Sequence, residues 1–377
     1  MKSEFHLTKT ENDYLNSSMN KISRSFALVT PCFEAPLNDY MSAAYLICRV
    51  VDNIEDCGHA LDWKRLRYSE FNRLLSEPAK AREILAAWET KDWPGLTNDE
   101  KRMMTVDGGL PLWQIYLQIP EEARSIVHRW SSIMAKGMED AEDPLCTPLF
   151  IEHSGIKLLE KTSDYNDYCY YVAGTVGHMI TELIISHYGL TEEKAQMLTD
   201  LCEACGRGLQ KTNIVKDFKN DLERGFCFLP DEWMQDAMYS PLSLAGAPWT
   251  WKQKVLKDVL SELHEFISYI IALPYQATGY RVASLLCVLP AYQTMLKAAR
   301  NQEKLFTPEH QIKISKLTFY RCIRDARSMA GSNEAIVRYR LEAERQIEKA
   351  FSVGRSAISM GIEEDPNRIC TTEAYGR

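Results

Sequence analysis

Long stretches of this chain place apolar side chains three and four residues apart, the period of an α-helix with one buried face. The pattern covers 38–56, 122–141, 165–187, 192–222, 250–272, 279–300 and 333–350. Strands call for two-residue alternation with hairpin turns between the runs, and such runs are scarce. Breaks are predicted where Pro and Gly cluster: Trp93-Pro94-Gly95, Gly108-Gly109, and the stretch 240–248. With 377 residues, 45% hydrophobic and 25% charged, the chain can bury a large core. No Pro/Gly/Ser-rich linker divides it. The spacing therefore predicts an all-α protein, one large helical domain over 1–355 with a loose tail over 356–377.

Charge narrows the partners. The formal net charge is −8 and no long basic run is present, which excludes the cationic footprint that nucleic acid requires. Eleven scattered cysteines suit reduced, mostly buried thiols of a cytoplasmic protein better than a disulfide framework. The first residues, MKSEFHLTKTENDY, contain no apolar core of a secretory signal. The longest apolar stretch, Val282 to Tyr292, is about half of a bilayer span, so no transmembrane segment is expected. Contact with a membrane surface stays open. No feature specifies an oligomer, and a monomer is compatible with the sequence.

Two acidic motifs carry the chemistry. The first, Asp52-Asn53-Ile54-Glu55-Asp56, continues an apolar helical run and puts Asp52, Glu55 and Asp56 on one face. Three carboxylates so close repel one another unless water or a divalent cation neutralises them, and oxygen-only ligands suit Mg²⁺. The second, Asp217-Phe218-Lys219-Asn220-Asp221, extends a stripe of Gln210, Asn213, Asp217 and Asp221 along another helix. A single acidic cluster reads as a solvated helix face. Two of them, facing each other across a bundle, would cage a polyanion bridged by Mg²⁺. Metal-assisted loss of an allylic diphosphate fits that cage, given an apolar aromatic pocket to shield the cation left behind.

Other features have plainer readings. Cys202-Glu203-Ala204-Cys205 lacks a second ligand pair and reads as core thiols rather than a zinc site. The acidic run Glu139 to Asp143 reads as a solvated helix end, His178 as a satisfied interior histidine, and Tyr168, Tyr170 and Tyr171 as packing.

The chain resembles the squalene and phytoene synthases, most closely the squalene synthase branch, from about Ser23 to Ala326. The resemblance is carried by Ser23-Arg24-Ser25-Phe26, by Tyr45 to Arg49 with the first motif, and by Met134 to Met138. It continues through Asp167 to Gly177, then Gln210 to Ile214 with the second motif and Phe228-Leu229-Pro230. It implies an isoprenoid synthase-type helical bundle with a central cavity. It further implies that Asp52, Glu55, Asp56, Asp217 and Asp221 hold Mg²⁺ and substrate diphosphates. Ser23, Arg24, Ser25, Phe26, Tyr45, Arg49, Gln210, Asn213 and Lys216 would line the substrate site, with Tyr168 serving the first half-reaction. Two farnesyl diphosphates would join through presqualene diphosphate and be reduced by NADPH to squalene. Asn213, Lys313 and Lys316 are the residues implied for that cofactor.

The chain departs from the family pattern at three places. Lys216 stands where arginine usually precedes the second motif's aspartate, and Ser315 replaces a basic residue between Lys313 and Lys316. Phe226 replaces an arginine, and Arg224 lies two positions earlier. The alternatives are a synthase that gives presqualene diphosphate, dehydrosqualene, phytoene or a cyclised terpene without NADPH, and a catalytically dead helical partner or lipid-binding protein.

Overall fold

The computed structural model describes residues 5–23, 26–143 and 149–359, with side chains as far as 352. Arg24, Ser25 and residues 360–377 lie outside the described residues, and with them most of the expected tail.

At the centre runs Glu192–Glu223, a 32-residue helix about 48 Å long. Thr191 starts it by accepting a hydrogen bond from the Lys194 N–H, with Glu192 and Glu193 favourably placed in the first turn. One side packs on Trp249–Ala272 and the other on Thr175–Tyr188. The Lys211 ammonium, 1% exposed, meets Asp258 at 2.9 Å and Glu262 at 3.0 Å, and Arg207 meets Glu262 at 3.0 Å. These buried pairs fix the rotation of the central helix, so Gln210, Asn213 and Asp217 face the cavity instead. The helix Leu37–Asp56 packs on Glu121–Glu142, which in turn meets Thr175–Tyr188 and closes the bundle.

The periodic segments match the helices closely. The expected break at Gly108-Gly109 does not occur, because both glycines lie in the first turns of Val106–Gln118. A Cβ on Gly108 would stand 2.0 Å from the Arg102 carbonyl oxygen, and one on Gly109 2.2 Å from that of Met103. Glycine is used there for close approach to the end of the preceding helix.

The segment 165–187, expected as one helix, contains a π turn at Tyr170–Gly174 between Thr162–Cys169 and Thr175–Tyr188. It presses on the central helix through small residues. A Cβ on Gly206 would lie 1.9 Å from the Ala173 carbonyl oxygen, and one on Gly177 2.3 Å from that of Cys202.

A small sheet is the other departure from periodicity. Strands β1 (Phe150–His153) and β2 (Ile156–Leu159) pair antiparallel around Ser154 and Gly155, and β3 (Phe226–Cys227) joins β2 in parallel. Ser154 and Gly155 both have positive φ, 53° and 76°, as a two-residue hairpin turn demands. Four-residue strands are too short to show period two against a helical background.

Thr278–Arg300 is long and apolar enough to cross a membrane by composition, but most of it is buried among neighbouring helices, as a core helix is. The described cysteines are free thiols. Cys202 contacts the His178 ring at 3.2 Å, and that ring stacks on Trp130 at 4.5 Å, so both residues are satisfied interior groups.

Candidate active site

Each acidic motif occupies the last turns of its helix: Asp52 to Asp56 end Leu37–Asp56, and Asp217 to Asp221 lie just before the end of Glu192–Glu223. Backbone carbonyls make a helix C-terminus negative, so these carboxylates sit where the field already favours a cation. The fold turns both ends into one cavity of about 930 Å³, which Asp52, Glu55, Asp56, Asp217 and Asp221 all line.

The Arg224 guanidinium joins the motifs. One Nη donates to Asp56 at 3.0 Å and the other to Asp221 at 2.8 Å. Arg49 similarly donates to Asp52 at 2.7 Å and to Glu100 at 2.9 Å. Glu100 is itself held by the capping box it forms with Thr97.

Burial pushes Asp52 up to about 6, with Asp56 adding to the rise and Arg49 opposing it. Burial also raises Asp221 to about 6, against the pull of Arg224. Glu55 is held well above its usual range by burial and by its neighbours Asp56 and Asp52. The cluster is thus short of positive charge even with its arginines in place.

The acidic run Glu139 to Asp143 is not merely a solvated face. Glu142 lines this cavity and accepts a 2.6 Å bond from Lys64, whose side chain is 7% exposed and whose ammonium also donates to the Glu55 carbonyl. Asp143 pairs with Arg65. The period of the helix carries Glu142 inward, which no local signal in the chain marked.

An aromatic group closes one wall. Tyr168, 5% exposed, stacks on Phe228 at 4.8 Å, while Phe226 lies parallel to Phe228 at 5.6 Å and Phe150 meets all three edge-on. Phe226 and Phe228 are two residues apart on extended backbone and so share a face. Burial, then the charges of Glu55 and Asp56, hold the Tyr168 phenol well above its usual pKa, so it keeps its proton.

Deeper in the bundle lies a second, apolar cavity of about 290 Å³, walled by residues such as Phe26, Phe33, Met134, Val176, Leu209 and Tyr280. Arg49, Asp52, Val172, Gln210 and Asn213 line both spaces, so the acidic chamber opens directly onto the apolar one. Tyr45 lines the inner cavity and stacks on Phe26 at 4.7 Å.

Not every predicted residue reaches the site. Lys216 does, bonded to Asn213 Oδ1 at 3.0 Å. Ser23 lines neither cavity and instead accepts a bond from the Phe26 N–H at 3.2 Å. Lys313 and Lys316 are exposed and line neither cavity. Their segment approaches the site through Gln311, which donates to Asp217 at 2.5 Å.

Residues 19–318 match the model of the squalene/phytoene synthase family. The chain belongs to that family. Among curated squalene/phytoene synthase relatives, the squalene synthase ERG9 of Saccharomyces cerevisiae is 27% identical over 329 residues, covering 84% of this chain and 67% of that protein. The squalene synthase of Cyberlindnera jadinii is 27% identical over 335 residues, covering 85% and 68%. Among solved structures, a liganded complex of TcSQS superposes with a TM-score of 0.73 at 20% identity, covering 93% of this chain and 99% of that one. A dehydrosqualene synthase superposes at 0.57 with 19% identity, covering 85% and 96%. The fold is the helical fold of these synthases.

Proposed function

We propose that this chain joins two farnesyl diphosphates head to head, through presqualene diphosphate, to squalene. The observation that carries the reading is the shared wall: two acidic helix ends form a polar chamber that opens through Asp52, Gln210 and Asn213 onto a buried apolar one. A substrate with a doubly charged head and a greasy tail has that same division.

The donor set fits Mg²⁺. It consists of oxygens only, and among the described residues no three His, Cys, Asp or Glu side chains converge closely enough to hold a metal alone. Magnesium commonly takes one or two carboxylates and completes its shell with water and phosphate oxygens. Asp52, Asp56, Asp217 and Asp221 would hold it. When bound, the metal supplies Lewis-acid stabilisation of the departing diphosphate.

The chain's own residues supply the rest. Arg49, Lys216 and Arg224 line the chamber and can donate to phosphate oxygens. Tyr168, Phe226, Phe228 and Phe150 offer ring faces to an allylic cation and keep water from it. The neutral Tyr168 holds its proton at Oη in the wall of the acidic chamber. The second substrate's double bond adds to the cation, and the diphosphate released in the ionisation, a base in the same chamber, takes up the proton whose loss closes the cyclopropane.

Reduction by NADPH belongs to the same proposal and is supported by likeness to the squalene synthases. Of the residues implied for it, Asn213 lines both cavities, whereas Lys313 and Lys316 stand outside them. Incubation with farnesyl diphosphate and Mg²⁺, with and without NADPH, tests the reading. Squalene formed only with NADPH supports it. A product unchanged by NADPH places the chain with synthases that stop at presqualene diphosphate or form dehydrosqualene.

A further inference from the structure

Arg224 sits where a bridging cation would sit. It belongs to neither acidic motif, yet its two Nη groups hold one carboxylate from each, Asp56 at 3.0 Å and Asp221 at 2.8 Å. Its side chain is 52% exposed and the Asp56 side chain 38%, so that half of the bridge stands in the open chamber, while Asp221, 11% exposed, anchors the other half. An ion pair as exposed as Arg224–Asp56 is weak enough to exchange partners. A guanidinium and a magnesium ion cannot both take the same carboxylate oxygens. The guanidinium fork also matches phosphate bidentately, which a lysine does not.

We infer that Arg224 is a resident place-holder, occupying the bridge between the motifs until metal and diphosphate arrive and then transferring its fork from the carboxylates to the diphosphate. The inference rests on the metal–diphosphate reading above. It assigns Arg224 two opposed effects: it weakens Mg²⁺ binding in the absence of substrate and strengthens diphosphate binding in its presence. A purely structural clamp would do neither. Removing a clamp would let the motifs drift apart and weaken both.

Calorimetric titration of the wild-type protein, Arg224→Gln and Arg224→Lys separates these. Mg²⁺ is titrated alone, then inorganic pyrophosphate is titrated at saturating Mg²⁺. Arg224→Gln is expected to bind Mg²⁺ roughly three- to tenfold more tightly, once the exposed pair to Asp56 and the more buried one to Asp221 no longer compete, and to bind pyrophosphate more weakly by at least a similar factor. Arg224→Lys, a charge without the fork, should keep weak Mg²⁺ binding and still lose pyrophosphate affinity. Unchanged or weaker Mg²⁺ binding by a folded Arg224→Gln protein overturns the inference while leaving the metal reading intact. If the wild-type protein takes up pyrophosphate equally well with and without Mg²⁺, the metal reading fails and this inference falls with it.

Discussion

Asp56 and Asp221, from two helices far apart in the chain, share one guanidinium: Arg224 donates to both, at 3.0 and 2.8 Å. The two motifs are therefore one electrostatic unit, and neutralising either member should cripple it. Asp56→Asn and Asp221→Asn are each expected to lower turnover by about 10²–10³, the usual cost of a lost transition-state charge contact, with the circular dichroism spectrum unchanged. Either variant retaining activity within about threefold of wild type would separate that motif from catalysis.

Divalent cation removal should have two readouts. Chelator is expected to abolish turnover, and pyrophosphate should then no longer raise the melting temperature, because a ligand stabilises only when it binds the folded state. Restored Mg²⁺ should return both together. Thermal stabilisation by pyrophosphate that survives chelation would place the anion on Arg49, Lys216 and Arg224 without metal.

Asp52 makes the resting site a store of electrostatic cost. Its folded-state pKa, about 6, is above the 3.8 of an unfolded chain. Ionised Asp52 therefore begins to reduce stability as pH rises past 3.8, and the reduction is complete above about 6. Asp52→Asn removes that cost while giving up the bond from Arg49. In metal-free buffer above pH 7 the variant is expected to be more stable by on the order of 1 kcal/mol, a gain that fades as pH approaches 4. Denaturant melts at two pH values check it, and a variant less stable at both would contradict the sign.

Gly206 is a packing constraint rather than a binding residue. Gly206→Val places carbon where the Ala173 carbonyl oxygen would be 1.9 Å from Cβ, so the π turn and central helix must separate. A loss of about 1–3 kcal/mol or more is expected. Activity should fall as well, because Val172 in the same π turn lines both cavities. Denaturation midpoint and turnover measured on one preparation decide it.

Lys64 neutralises a largely buried acid at the edge of the chamber. With Glu142 at 2.6 Å and the Glu55 carbonyl on the same ammonium, Lys64→Met leaves buried charge uncompensated. The expected cost is about 3–5 kcal/mol, partly recovered in Lys64→Met combined with Glu142→Gln. A double variant no more stable than the single would show that the pair does not couple.

The helices were legible because amphipathic period is a local property: the stripe Gln210, Asn213, Asp217, Asp221 is visible in sequence and is the stripe that faces the cavity. The π turn was not, since one extra residue in a helical turn leaves the composition of 165–187 unchanged. Nor was the hairpin around Ser154 and Gly155, whose strands are short and stabilised by pairing with β3, distant in the chain. Glu142 looked like a surface acid, and Glu100 carried no signal at all, because their partners, Lys64 and Arg49, lie 78 and 51 residues away.

By itself the sequence determined the helical class, the two acidic helix ends and the amide stripe, all of which depend on residues within a few turns of one another. Tertiary structure decided what those ends face. It set Arg224 between Asp56 and Asp221, brought Phe150, Tyr168, Phe226 and Phe228 into one aromatic wall, and opened the acidic chamber onto the apolar one. The physical reason is range: helix periodicity is written by neighbours, whereas a charge's partner and a cavity's shape depend on which distant helices pack together.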